Sequence, residues 1–138
     1  MLGSLSHIGI AVKDLDSSSK LFQALLGKPS DHVEQVSDQK VKTAFFRMGE
    51  AAIELTAATD PDSPIAKFID KRGEGIHHLS FVVEDIGKEL DRLKAEGFQL
   101  VDEKPRIGAD GYAIAFLHPK TTNGVLIELC QRTEIRKS

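Results

Sequence analysis

The sequence predicts an α+β fold in which one module of strand, helix and three strands is used twice. Three observations predict it. The stretch Ser6-His7-Ile8-Gly9-Ile10-Ala11-Val12-Lys13-Asp14-Leu15 reads like His77-His78-Leu79-Ser80-Phe81-Val82-Val83-Glu84-Asp85-Ile86, 71 positions on. The likeness continues in order: Ala44-Phe45-Phe46 matches Ala115-Phe116-Leu117 at the same offset, and Ile53-Glu54-Leu55 matches Ile127-Glu128-Leu129 at an offset of 74. The apolar residues alternate in the strand-like runs and recur at helical spacing after Asp14 and Asp85, the two periodicities that separate strand from helix.

In order along the chain, the first strand is followed by a helix over 16–26, stopped at Gly27 because glycine takes the left-handed cap without strain. Asp60-Pro61-Asp62-Ser63-Pro64 is a turn. Ser63 then caps a short helix over 65–71 with Pro64 at its first position. The second copy repeats the pattern, with a helix over 86–96 stopped at Gly97. The change of offset from 71 to 74 implies three extra residues in the second hairpin, near 120–124. The expected organisation is a single domain over 1–138: a first module at about 4–58, a linker helix at about 63–72 and a second module at about 75–131. The polar tail 132–138 is expected to fray.

Composition narrows the function classes. Eighteen basic against 21 acidic residues leave a net charge of −3, with no global attraction to nucleic acid. Trp is absent and Tyr112 stands alone, so no basic-aromatic stacking pattern is present. No apolar run approaches the ~18 residues of a membrane span, and the residues after Met1 lack the basic-then-apolar pattern of a signal peptide. The lone Cys130 fits a reducing cytoplasm.

Strand alternation then isolates four residues. His7, Gly9 and Ala11 share one face against Ile8, Ile10 and Val12; His78, Ser80 and Val82 oppose Leu79, Phe81 and Val83. Glu54 lies between Ala52 and Thr56, and Glu128 between Leu126 and Cys130, each opposite bulky aliphatics. The repeat is expected to set His7 and Glu54 opposite His78 and Glu128. Two imidazoles and two carboxylates on a concave sheet make an N2O2 site for a divalent ion, with two positions left for water or substrate. The absence of thiolate ligands speaks against a structural zinc knot. His77 points to the other side and reads as structural, His118 as a rim residue at best, and His32 has no assigned role. Cys130 has no base near it in sequence, so no nucleophilic role is read.

The duplicated module with this quartet resembles the vicinal oxygen chelate superfamily, and within it most closely the methylmalonyl-CoA epimerases. The stretches that carry the closer likeness are Ser63-Pro64-Ile65-Ala66-Lys67-Phe68, Gly75-Ile76-His77-His78-Leu79, Ile107-Gly108-Ala109-Asp110-Gly111, and Phe116-Leu117-His118-Pro119-Lys120 leading to Gly124-Val125-Leu126-Ile127-Glu128-Leu129. The resemblance implies two βαβββ modules forming a curved, partly closed mixed sheet around a metal-binding cleft. It implies His7, Glu54, His78 and Glu128 as metal ligands, cobalt first among cobalt, manganese, nickel, magnesium and zinc, and a homodimer acting on an acyl-CoA. The expected reaction is proton removal and return at C2 of methylmalonyl-CoA, with Glu128 the stronger base and Glu54 its partner. A second catalytic carboxylate proposed for at least one relative falls near Thr43, which leaves the identity of the second acid/base open. Lys104, Arg106 and Lys120 lie in loops able to meet the coenzyme A tail. Two alternatives stand beside this reading: a glyoxalase I acting on the methylglyoxal–glutathione hemithioacetal, and a non-enzymatic binding protein of the same fold.

Overall fold

The computed structural model describes residues 2–108 and 111–132. Among them are β1 (Leu5–Ala11), α1 (Leu15–Leu26), β2 (His32–Val36), β3 (Val41–Met48), β4 (Ala51–Ala58), α2 (Pro64–Arg72), β5 (Gly75–Val82), α3 (Ile86–Ala95), β6 (Arg106–Ile107), β7 (Ala113–Leu117) and β8 (Ile127–Gln131). Each half therefore has the predicted order of strand, helix and three strands. The chain divides into two compact units, residues 7–77 in one, residues 2–6 with those from 78 onward in the other.

In the first unit β1 runs parallel to β4, and β2, β3 and β4 are antiparallel neighbours. Asp14 caps α1 by accepting from the backbone N–H groups of Asp16 and Ser17 at 3.0 and 3.3 Å, satisfying donors that a helix start leaves bare. Gly27, at φ 77°, closes the other end. Leu15, Phe22 and Leu26 of α1 pack on Val12, Phe46, Leu55 and the flanking Ile10 and Ile53, the aliphatic face anticipated from alternation. Leu21 and Leu25 stay exposed on the outer side of α1. The opposite face is covered at one end by α2, whose Ile65, Phe68 and Ile69 pack on Ala11, Val41, Val36 and Ala58. The fully buried Ser63 caps α2 through its Oγ, which accepts from the Ile65 N–H at 3.1 Å.

In the second unit β5 runs parallel to β8, β8 is antiparallel to β7, and β7 to the two-residue β6. Asp85 caps α3, which ends at Ala95 with Glu96 as its cap, one residue short of the expected end. Ile86, Leu90 and Leu93 pack on Leu117, Leu129 and the flanking Phe81 and Ile127. The N-terminal residues add to this unit: the Gly3 N–H donates to the Val82 carbonyl at 2.8 Å and the Val82 N–H to the Ser4 carbonyl at 2.9 Å. A side chain at position 3 would sit 2.7 Å from the Val82 oxygen, so the close approach needs glycine. The hairpin between β7 and β8 contains a 3-10 turn over Pro119–Thr121. The one between β3 and β4 turns at Gly49 and Glu50, which accounts for the three extra residues. Among the described residues no helix is long and apolar enough to cross a membrane. Ala109, Asp110 and the tail 133–138 lie outside the described residues.

Candidate metal centre and active site

Each unit builds one histidine–carboxylate pair in the same way. In the first, β1 carries His7 beside Glu54 of the parallel strand β4, with His7 Nδ1 3.1 Å from Glu54 Oε2. In the second, β5 carries His78 beside Glu128 of the parallel strand β8, with His78 Nε2 3.4 Å from Glu128 Oε1. The side chains are 12% and 15% exposed in the first pair and 12% and 7% in the second. The apolar neighbours Ile8, Ile10, Leu79 and Phe81 face the other way, so the core that seats the helices also aims the imidazoles and carboxylates.

The donor set fits a divalent ion. Neutral imidazole nitrogen and carboxylate oxygen suit first-row divalent metals, and carboxylates also suit magnesium. Two donors on a shared ion at about 2.1 Å stand about 3.0 Å apart at a right angle and about 3.4 Å at the tetrahedral angle. The two measured separations, 3.1 and 3.4 Å, match that spacing within each pair.

The surrounding rows are as regular as the pairs. Cross-strand register aligns Gly9, Glu54, Phe45 and His32 in one row of the first unit, and Ala11, Thr56, Thr43 and Glu34 in the next. The His32 ring lies flat on Phe45, centroids 4.2 Å apart at 10°. The buried hydroxyls of Thr43 and Thr56 are hydrogen-bonded at 3.1 Å. In the second unit the corresponding rows are Ser80, Glu128 and Phe116, then Val82, Cys130, Ile114 and Arg106. His78 meets Phe116 edge-on at 5.9 Å. The Arg106 guanidinium lies 5.8 Å from the same ring and 3.7 Å from Asp102 Oδ1. Sequence reading missed Phe45 and Phe116 as neighbours of the carboxylates, although their repeat equivalence was visible. It also gave His32 no role.

His77 and His118 make local contacts. His77 packs edge-on against Phe68 of α2 at 4.8 Å. His118 Nδ1 accepts from the Lys120 N–H at 3.0 Å and caps the 3-10 turn. Lys104 and Lys120 are exposed. Of the three expected substrate-binding cations, Arg106 is the one that leans over an aromatic ring of the ligand-bearing face. Cys130 is buried and accepts from the Ser80 hydroxyl at 3.4 Å.

Residues 6–116 match the Glyoxalase/Bleomycin resistance protein/Dioxygenase superfamily. The chain belongs to this superfamily. The match contains His7, Glu54 and His78 and stops short of Glu128. Within the superfamily, the chain is 39% identical to the ethylmalonyl-CoA/methylmalonyl-CoA epimerase of Cereibacter sphaeroides, over 95% of this chain and 99% of that one. Two solved superfamily structures superpose closely. The methylmalonyl-CoA epimerase of Mycobacterium tuberculosis does so with a TM-score of 0.92 and 39% identity, over 99% of this chain and 92% of the other. A variant of the Streptomyces coelicolor methylmalonyl-CoA epimerase, in complex with 2-nitronate-propionyl-CoA, does so with a TM-score of 0.90 and 33% identity, over 97% of each. A lactoylglutathione lyase of Arabidopsis thaliana is more distant, 22% identical over 91% of this chain and 43% of its own length.

Proposed function

We propose that the chain is a metal-dependent methylmalonyl-CoA epimerase that interconverts the (2R) and (2S) forms. One observation carries the reading: a chain 39% identical, end to end, to a named epimerase holds a largely buried His–Glu pair at the same strand positions of both halves. In this reading His7, Glu54, His78 and Glu128 hold one divalent ion, with cobalt first among manganese, nickel, magnesium and zinc. When bound, the ion supplies Lewis-acid stabilisation of the negative charge that develops on the thioester oxygen, a term of several kcal/mol.

The chain's own residues do the rest. Glu128 takes the C2 proton on one face, the C–H electron pair passing into the enolate. A second group returns a proton on the opposite face, and Glu54 is the ligand-side choice for it. Phe45 and Phe116 flank the carboxylates and keep water from them. Arg106, steadied by Asp102 and the Phe116 ring, binds an anionic group of the acyl-CoA. Lys104 and Lys120 serve the coenzyme A phosphates. The proposal includes a homodimer working in the cytoplasm.

The test is incubation of (2R)-methylmalonyl-CoA with metal-loaded protein in deuterated water. Inversion with deuterium at C2 is expected, with no turnover of the methylglyoxal–glutathione hemithioacetal. The reverse pattern makes the chain a glyoxalase; no turnover of either makes it a binding protein.

A further inference from the structure

A coenzyme A thioester whose acyl end lies at His7 and Glu54 has a long phosphorylated tail that must leave along the sheet. Within the first unit one direction is closed: α2 packs Ile65, Phe68 and Ile69 over Ala11, Val36, Val41 and Ala58 at one end of the ligand-bearing face. At the other end, cross-strand register puts His7, Ala52 and Arg47 in one row, next to the row of Glu54 and Phe45. Residues of one row leave the sheet on the same side, so Arg47 stands on the face of His7 and Glu54. At ~4.8 Å per strand its Cα is about 10 Å from that of His7, with only the small side chain of Ala52 in the row between them. Arg47 is exposed, so this end is open.

Arg47 is fixed through its backbone and left unengaged at its tip. It lies beyond the start of β2, whose first residue, His32, pairs with Phe45. Asp31 and Lys28 take the place of the missing strand: the Arg47 N–H donates to Asp31 Oδ2 at 2.6 Å, and Lys28 Nζ donates to the Arg47 carbonyl at 2.7 Å. Lys28 Nζ also lies 3.3 Å from Asp31 Oδ2, so Asp31 offsets Lys28 and the charge of Arg47 is left over. Among the described residues the Arg47 guanidinium makes no hydrogen bond or ion pair. The second unit has no such group: the repeat position of Arg47 is His118, which caps its own turn, and that of Ala52 is Leu126. A guanidinium binds phosphate through two parallel N–H donors and is weakly hydrated, which suits it to a phosphate met at an exposed rim.

We propose that Arg47 binds a phosphate group of the coenzyme A tail, which leaves the first unit past Ala52 and away from α2. This rests on the epimerase reading. The other anion of that substrate is its own carboxylate, which sits on the acyl end beside the ligating side chains. Arg47 is two residues along β3 from the row of Glu54, at the exposed end of the face, and that position favours the tail.

The experiment compares metal-loaded wild type, Arg47→Gln and Arg47→Lys on methylmalonyl-CoA and on methylmalonyl-pantetheine, which carries no phosphate. Thermal unfolding serves as the folding control. For Arg47→Gln we expect KM for the coenzyme A thioester to rise about tenfold, the scale of one lost hydrogen bond between charged groups, with kcat little changed. KM for the pantetheine thioester should stay at its wild-type value. Arg47→Lys, which keeps the charge and loses the fork, should recover part of the affinity. A merely structural role would not separate the two thioesters. An unchanged KM for methylmalonyl-CoA in Arg47→Gln overturns the proposal. So does an equal rise with both thioesters, which gives Arg47 to the substrate carboxylate. Calorimetric titration with coenzyme A itself separates this proposal from the reading beneath it. Binding that weakens in Arg47→Gln, without turnover by wild type, overturns the epimerase reading alone; wild type that neither turns over nor binds coenzyme A overturns both.

Discussion

If the two His–Glu pairs share one ion, removing a single histidine from either unit must damage binding as much as removing one from the other. His7→Ala is the informative change, because the second-unit pair of His78 and Glu128 is left untouched. A ligand present at 100 times its dissociation constant stabilises the folded state by about 2.7 kcal/mol. Unfolding entropy of about 2.1 cal/mol/K per residue over 138 residues converts this to a rise in melting temperature of about 9 °C. Loss of even an outer partner of a metal site costs 10–100-fold in affinity, so loss of a ligand should cost at least the upper figure. At the same metal concentration His7→Ala should then retain about 0.4 kcal/mol, a shift of about 1 °C. The assay is thermal unfolding with and without cobalt(II), then with manganese(II), alongside metal stoichiometry. The metal-free melting of each variant removes any effect of losing the 3.1 Å contact to Glu54. A full shift in His7→Ala, or two ions per chain, would refute the shared site.

Two further predictions concern the scaffold. Phe46→Ala empties a fully buried position between β3 and α1. It should cost about 3–5 kcal/mol by urea denaturation while leaving turnover per folded molecule unchanged, because Phe46 faces away from Glu54. Asp31 accepts from the Arg47 N–H at 2.6 Å. This bond, with Lys28 beside it, holds the Asp31 carboxyl below its ordinary value of 3.8. A depressed carboxyl stabilises the fold above its unfolded pKa and loses that contribution as pH falls through the folded one. The stability gap between wild type and Asp31→Asn should therefore be constant from neutral pH to about 5 and shrink below about 4; a gap that widens in acid contradicts this.

The elements that were legible in the sequence are those whose burial is one-sided. β1, β4, β5 and β8 alternate because one face meets α1 or α3, and that alternation identified His7, Glu54, His78 and Glu128. Phe45 and Phe116 were hidden by their surroundings: an aromatic residue inside an apolar strand reads as core, and only the register with Glu54 and Glu128 shows which side it takes. β2 was hidden for the opposite reason. His32-Val33-Glu34-Gln35-Val36 is polar and has little propensity to pair by itself; it becomes a strand because β3 offers a free edge. β6, two residues long, leaves no periodicity to read. Arg106 could be named only as a loop cation until the Phe116 ring beneath it came into view.

The repeat explains what the two halves share, and the chemistry depends on where they differ. His7 with His78, Glu54 with Glu128 and Phe45 with Phe116 are matched, the symmetry that the proposed shared ion would use. One step outward the match fails: Thr56 faces Cys130 in the alignment of rows, Thr43 faces Ile114, and Glu34 faces Arg106. A symmetric pair of carboxylates would repel an anionic substrate, and a symmetric pair of guanidinium groups would hold it without moving a proton. A carboxylate at one place and a guanidinium at its counterpart give the two halves opposite charge there, and in the proposed epimerase the Arg106 side is the one suited to an anionic acyl-CoA.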